Sequence, residues 1–184
     1  MELIDAIKKR GSVRKYKPDH VEDEKLMNVL EAARWAPSWA NTQCWQFIII
    51  KDGETKKKLS ETLAKGNPSI ETVIKAPIIL VACGKKGVSG FYKGSYVTDK
   101  GEFWYMFDVA LALQNLTLAA CSLGLGTVHV ALFDAKKAEE ILGVPENVSV
   151  VELIPLGYPV EQPREIPRKE VKDFIFYEHY GQKT

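Results

Sequence analysis

Lys9-Arg10-Gly11-Ser12-Val13-Arg14-Lys15-Tyr16 gathers positive charge, a glycine and a hydroxyl just after a short amphipathic segment. Side chains of an extended chain alternate with period two, which would set Arg10, Ser12 and Arg14 on one side. That set suits a phosphate. Guanidinium forks reach its oxygens two N–H donors at a time, and the hydroxyl adds a donor without charge repulsion. A basic run closing a helix is also what the helix dipole alone favours, so a purely structural reading stands beside the anion grip.

Outward from this stretch, Leu3, Ile4 and Ile7 have helical spacing, and Gly11 ends that helix, so the grip lies just past a helix end. After Lys17-Pro18-Asp19, the acids Glu22, Asp23 and Glu24 precede Leu26, Met27, Leu30 and Ala33, read as one face of a second helix that Pro37 ends. Ala36 to Gln43 is a loop rich in amides and hydroxyls, and Trp45 to Ile50 reads as a buried strand. Loops between a helix and a core strand often carry function.

Further on, Lys56 to Ala64 reads as a surface helix, Ser69 to Lys75 as a short one, and Ile78 to Cys83 as a second apolar strand. Gly84 to Gly101, with Phe91, Tyr92 and Tyr96, keeps no period and reads as a mobile excursion. Glu102 to Leu123 is apolar on nearly every side, as a helix surrounded by neighbours would be. Val128 to Leu132 is short and apolar, Ala135 to Leu142 is a helix and Val148 to Leu156 a strand. The tail, 160–184, carries Phe174, Ile175, Phe176 and Tyr177, an aromatic run that a partner subunit would bury.

The chain has 184 residues, the size of one domain, and a formal charge of +1. So small a net charge gives no field for nucleic acid or anionic lipid, and an anion site must be local. Cys44, Cys83 and Cys121 are odd in number and far apart, neither a disulfide framework nor a zinc pattern, and fit a reducing cytoplasm. Met1-Glu2-Leu3-Ile4-Asp5 bears acids where a signal peptide would be basic and then apolar. Asp108, Gln114 and Asn115 interrupt the most apolar segment, against a membrane span. His20, His129 and His179 are too scattered to predict a metal site.

Gly124-x-Gly126 follows a helix rather than a strand and has His129 where a third glycine is due, which excludes a dinucleotide fingerprint. No Walker loop and no Gly-x-Ser-x-Gly elbow is present. Cys44 and Cys121 read as small core hydrophobes. Asp108 reads first as a buried hydrogen-bond hub served by Gln114, Asn115 and backbone groups, and second as a proton donor. His129 reads first as a packed side chain and second as a pocket group.

Arg10-Gly11-Ser12-Val13-Arg14-Lys15-Tyr16 and Ala36-Pro37-Ser38-Trp39-Ala40-Asn41-Thr42-Gln43-Cys44-Trp45-Gln46-Phe47 together resemble the FMN-dependent nitroreductase family. Ala119-Ala120-Cys121-Ser122-Leu123-Gly124-Leu125-Gly126-Thr127, Leu156-Gly157-Tyr158-Pro159 and Pro167-Arg168 match further family motifs in the same order, from about Leu3 to Arg168. The resemblance implies an α+β fold, a mostly antiparallel sheet surrounded by helices, in an intertwined homodimer with FMN at the interface. It implies that Arg10, Ser12, Arg14 and Arg168 hold the ribityl phosphate, with Gly11 also at the cofactor site. Ser38 and Asn41 would come from the partner to the ring, with Pro37 and Trp39 also at the cofactor site, and backbone N–H groups around Ala131 and Leu132, beside the cofactor-binding Val130, would face its N5 and O4 edge. Two residues depart from the pattern: Cys44 replaces the proline usual before Trp45, and Trp39 replaces a small residue, which would narrow the pocket.

The implied activity is ping-pong transfer of hydride or electrons from NADH or NADPH through FMN to a nitroaromatic, quinone or other small acceptor, with no side-chain nucleophile. Reductive dehalogenation or flavin cleavage on the same fold, flavin storage without turnover, and a ligand-free interaction domain are the alternatives.

Overall fold

The computed structural model describes residues 1–183; Thr184, at the end of the expected tail, lies outside the described residues. Its strands are β1 (Trp45–Ile50), β2 (Ile78–Lys85), β3 (Phe91–Tyr92), β4 (Ser95–Tyr96), β5 (Gly126–Thr127) and β6 (Val148–Gly157). Its helices are α1 (Leu3–Lys9), α2 (Asp23–Arg34), α3 (Gly53–Ser60), α4 (Ile70–Lys75), α5 (Trp104–Ser122), α6 (Ala135–Leu142) and α7 (Val171–Phe174).

The main sheet has the order β1-β2-β6-β5 and every pairing in it is antiparallel. β2 is an unbroken apolar run because both its faces are covered. Period two sends Ile78, Leu80 and Ala82 into a core shared with α2 and α5, and Ile79, Val81 and Cys83 into a second core with α3, α4 and α6. The β2–β6 register slips between Ala82 and Cys83, a bulge within the central pair.

Four expectations change. β1 lies at the sheet edge and is only half-buried. In α1 the expected apolar face points outward: Leu3, Ile4 and Ile7 are exposed and Ala6 alone is buried. α2 turns on Leu26, Val29 and Ala33, leaving Met27 exposed. α3 starts at Gly53 because the Asp52 carboxylate caps the Thr55 N–H at 2.7 Å.

α5 departs further. It buries Tyr105, Asp108, Val109, Ala112, Leu116 and Ala120 against α2 and the sheet, whereas Met106, Phe107, Ala110 and Gln114 form an exposed stripe at helical spacing. It is covered on one side, not all round. The 84–101 excursion contains the β3–β4 hairpin, with the Phe91 and Tyr96 rings edge to face at 5.1 Å. After β6 the chain passes over Gly11, where a Cβ would lie 2.6 Å from that of Pro163. Beyond it Ile166, Val171, Phe174, Tyr177 and Tyr180 are exposed. No helix among the described residues is long and apolar enough to cross a membrane.

Candidate functional site

Residues 12–17 run extended along the sheet end. Ser12 bridges to Thr127 in parallel, and the Val13 N–H donates to the Thr127 carbonyl at 2.9 Å. The Lys17 N–H donates to Tyr158 and the Val160 N–H to Lys15. Val13 faces inward against Gly126, where a Cβ would approach the valine Cβ to 2.7 Å, so alternation turns Ser12 and Arg14 outward. The Thr72 hydroxyl holds the Arg14 carbonyl at 3.0 Å. The Tyr16 hydroxyl donates to the carbonyls of Val13 and Pro155, and burial pushes its phenol well above the ordinary range against the pull of Arg14.

Ser12, Arg14 and Lys15 line a cleft of about 510 Å³ whose other wall is residues 161–167, including Glu161, Arg164 and Glu165. Among the described residues neither the Ser12 hydroxyl nor the Arg14 guanidinium has a hydrogen-bond or ion-pair partner. The other expected phosphate residues fall elsewhere. Arg10 and Gly11 line a neighbouring cavity of about 120 Å³ beside Cys121, Gly124 and Thr127. Burial raises the Cys121 thiol there, and Arg10 and Lys9 partly offset it. Arg168 turns back on its own chain, donating to the carbonyls of Ile166 at 2.8 Å and Pro167 at 3.3 Å. Arg164 occupies the cleft wall, a role sequence reading missed although its Pro-Arg pair mirrors Pro167-Arg168.

The 37–44 loop is fixed on α5. The buried Asp108 carboxylate accepts from the Trp39 N–H at 3.1 and 3.2 Å, from the Ser89 hydroxyl, and more weakly from Thr42 and the Cys44 thiol. The hub exists and a backbone N–H serves it as expected, but the two expected amides do not. Asn115, two turns further along α5, donates to the Ala32 carbonyl, and Gln114 lies on the exposed stripe. Burial and then the adjacent Asp108 charge push the Cys44 thiol up to about 12, so it packs as an inert core side chain. Ser38 Oγ accepts the Gln43 N–H at 2.9 Å and Asn41 Oδ1 accepts from the Gln43 amide at 3.2 Å. Pro37, Ser38, Trp39 and Asn41 line neither of these two cavities.

Val130 is buried and exchanges hydrogen bonds with Leu153, both at 3.1 Å, so its N–H is already used. The Ala131 and Leu132 N–H groups meet no acceptor among the described residues, and the Leu132 side chain is exposed. His129 is exposed rather than packed, its Nδ1 2.8 Å from Glu152. The structure thus joins Ser12 to Arg14 and leaves the 37–41 loop and the 130–132 segment as separate surfaces of one chain.

The chain matches the nitroreductase family model over residues 7–158. It is 32% identical to the FMN reductase [NAD(P)H] of Bacillus subtilis over 177 residues, 91% of this chain and 70% of that protein. It is 27% identical to an iodotyrosine deiodinase of Thermotoga neapolitana, with 92% and 95% covered. Its fold superposes on the crystal structure of a nitroreductase family protein from Clostridium difficile with a TM-score of 0.82, at 28% identity and with 97% and 99% of the two chains covered. The α+β architecture, the order of the motifs and these matches lead to one conclusion: the chain belongs to the nitroreductase family.

Proposed function

We propose that this chain is an NAD(P)H-dependent FMN oxidoreductase that works as a homodimer and reduces a nitroaromatic, quinone or other small acceptor by ping-pong kinetics. The observation that carries the reading is the free donor pair, the Ser12 hydroxyl and the Arg14 guanidinium, facing a 510 Å³ cleft beside Lys15 and Arg164. This donor chemistry fits a phosphate monoester. Each charge-assisted contact contributes about 1.5–3 kcal/mol, and micromolar affinity needs about 8 kcal/mol, so a few contacts plus ring burial suffice.

When bound, FMN supplies hydride acceptance at N5 and onward delivery of electrons to the acceptor. Ser12 and Arg14 bind the phosphate, and Arg10 and Arg168 keep the surroundings positive. The unpaired N–H groups of Ala131 and Leu132 offer donors where negative charge develops on the ring. Pro37, Ser38, Trp39 and Asn41 serve the ring of the partner subunit's site. The exposed α5 stripe and the apolar tail supply the surface on which a second copy packs. The free thiols suit a reducing cytoplasm.

Anaerobic titration of the FMN-loaded protein with NADH and with NADPH tests this reading. Bleaching of the oxidised-flavin absorbance by at least one nicotinamide is expected, followed by reoxidation with a quinone. A flavin that neither reduces would leave a storage protein. The deiodinase relative supports a second reading, reductive dehalogenation, which predicts rapid reoxidation by a halogenated phenol and slow reoxidation by quinones.

A further inference from the structure

We infer that Asp108 is a positioning residue that clamps the 38–44 loop in the shape presenting Ser38 and Asn41, and that it ties this loop to the 84–101 excursion through Ser89. The inference rests on the flavin reading above. Ala40, Asn41 and Gln43 all have positive φ, at 46°, 56° and 49°. Residues other than glycine adopt that region at a cost, so such a loop relaxes unless its surroundings hold it.

Asp108 supplies the hold from both ends of the strained run. The Trp39 N–H enters before it, and Thr42 and Cys44 enter within and after it. Every group facing the carboxylate is a donor, and among the described residues no cation pairs with it. Its acceptor capacity is therefore spent on this loop and on Ser89. A buried carboxylate committed this way is costly to leave and effective as an anchor. Ser89, itself buried, is the one donor from outside the loop, so the excursion and the loop share a single acceptor.

The test measures amide hydrogen exchange of residues 39–44 in the flavin-free protein, and the affinities for FMN and for riboflavin, in the unmodified chain, Asp108→Asn, Ser89→Ala and Arg14→Ala. Asp108→Asn keeps the volume but turns an amide N–H₂ toward donors. The expected result is exchange at Trp39 faster by about tenfold, with FMN and riboflavin affinities falling by the same factor of about tenfold. Arg14→Ala should instead weaken FMN and leave riboflavin unchanged, because riboflavin has no phosphate. Ser89→Ala carries the test if Asp108→Asn does not fold, with a loss of roughly threefold for both ligands. Unchanged exchange, or faster exchange with riboflavin affinity intact, overturns the inference. An unmodified protein that binds neither ligand overturns the flavin reading instead, and the exchange measurement still decides whether Asp108 clamps the loop.

Discussion

Arg14 concentrates the account at the level of single residues. Its backbone is pinned by Thr72 and by the bond from Val13 to Thr127, while its guanidinium has no partner among the described residues, so no existing pair has to break when it meets an anion. Replacing it with alanine should lower FMN affinity by about tenfold or more, read by fluorescence quenching, without changing the unfolding midpoint. That Ser12 and Arg14 share one side of the chain was legible in sequence because an extended chain has only two sides. The diversion of Arg10 into the next cavity was not, because Arg10 ends α1 and the alternation starts only after it. Trp39 contributes through its backbone N–H, a role that no side-chain motif announces.

Among the elements, α6 and β6 are coupled by Glu139. Burial raises its carboxyl, but the Val150 N–H, Lys136 and the Ser149 hydroxyl together hold it below the usual carboxylate range. A carboxyl with a lowered folded-state pKa stabilises the fold above its unfolded-state pKa, and the contribution is lost as pH falls through the folded value. Glu139→Gln should therefore cost roughly 1 kcal/mol at neutral pH by urea denaturation, and the difference should shrink as pH falls from the ordinary glutamate range through the lowered folded-state value. Element boundaries were readable where punctuation is strong. Trp45–Ile50 and Ala135–Leu142 stand where the sequence puts them, one as an apolar run broken only by Gln46, the other between the cap Asp134 and the left-handed Gly143. α1 forms where its spacing puts it, but Leu3, Ile4 and Ile7 stay exposed.

The whole molecule leaves apolar surface open on α1, along Met106 and Phe107 of α5, and along the tail. Periodicity within one sequence does not distinguish a face buried by the same chain from one buried by another, and for that reason α5 read as surrounded. Under the dimer proposal a charge in this stripe meets a desolvated partner. Phe107→Asp should shift sedimentation from dimer to monomer and reduce bound flavin by at least tenfold, since the 37–41 loop then serves no second site. An equally dimeric, equally loaded variant would place the interface elsewhere.

Whether Ser12 and Arg14 grip a phosphate is decided by calorimetric titration of the flavin-free protein with FMN and with riboflavin. Two charge-assisted contacts predict FMN binding tighter by about a hundredfold or more, at one FMN per chain. Equal affinity for the two ligands, or no binding of FMN, would contradict the account.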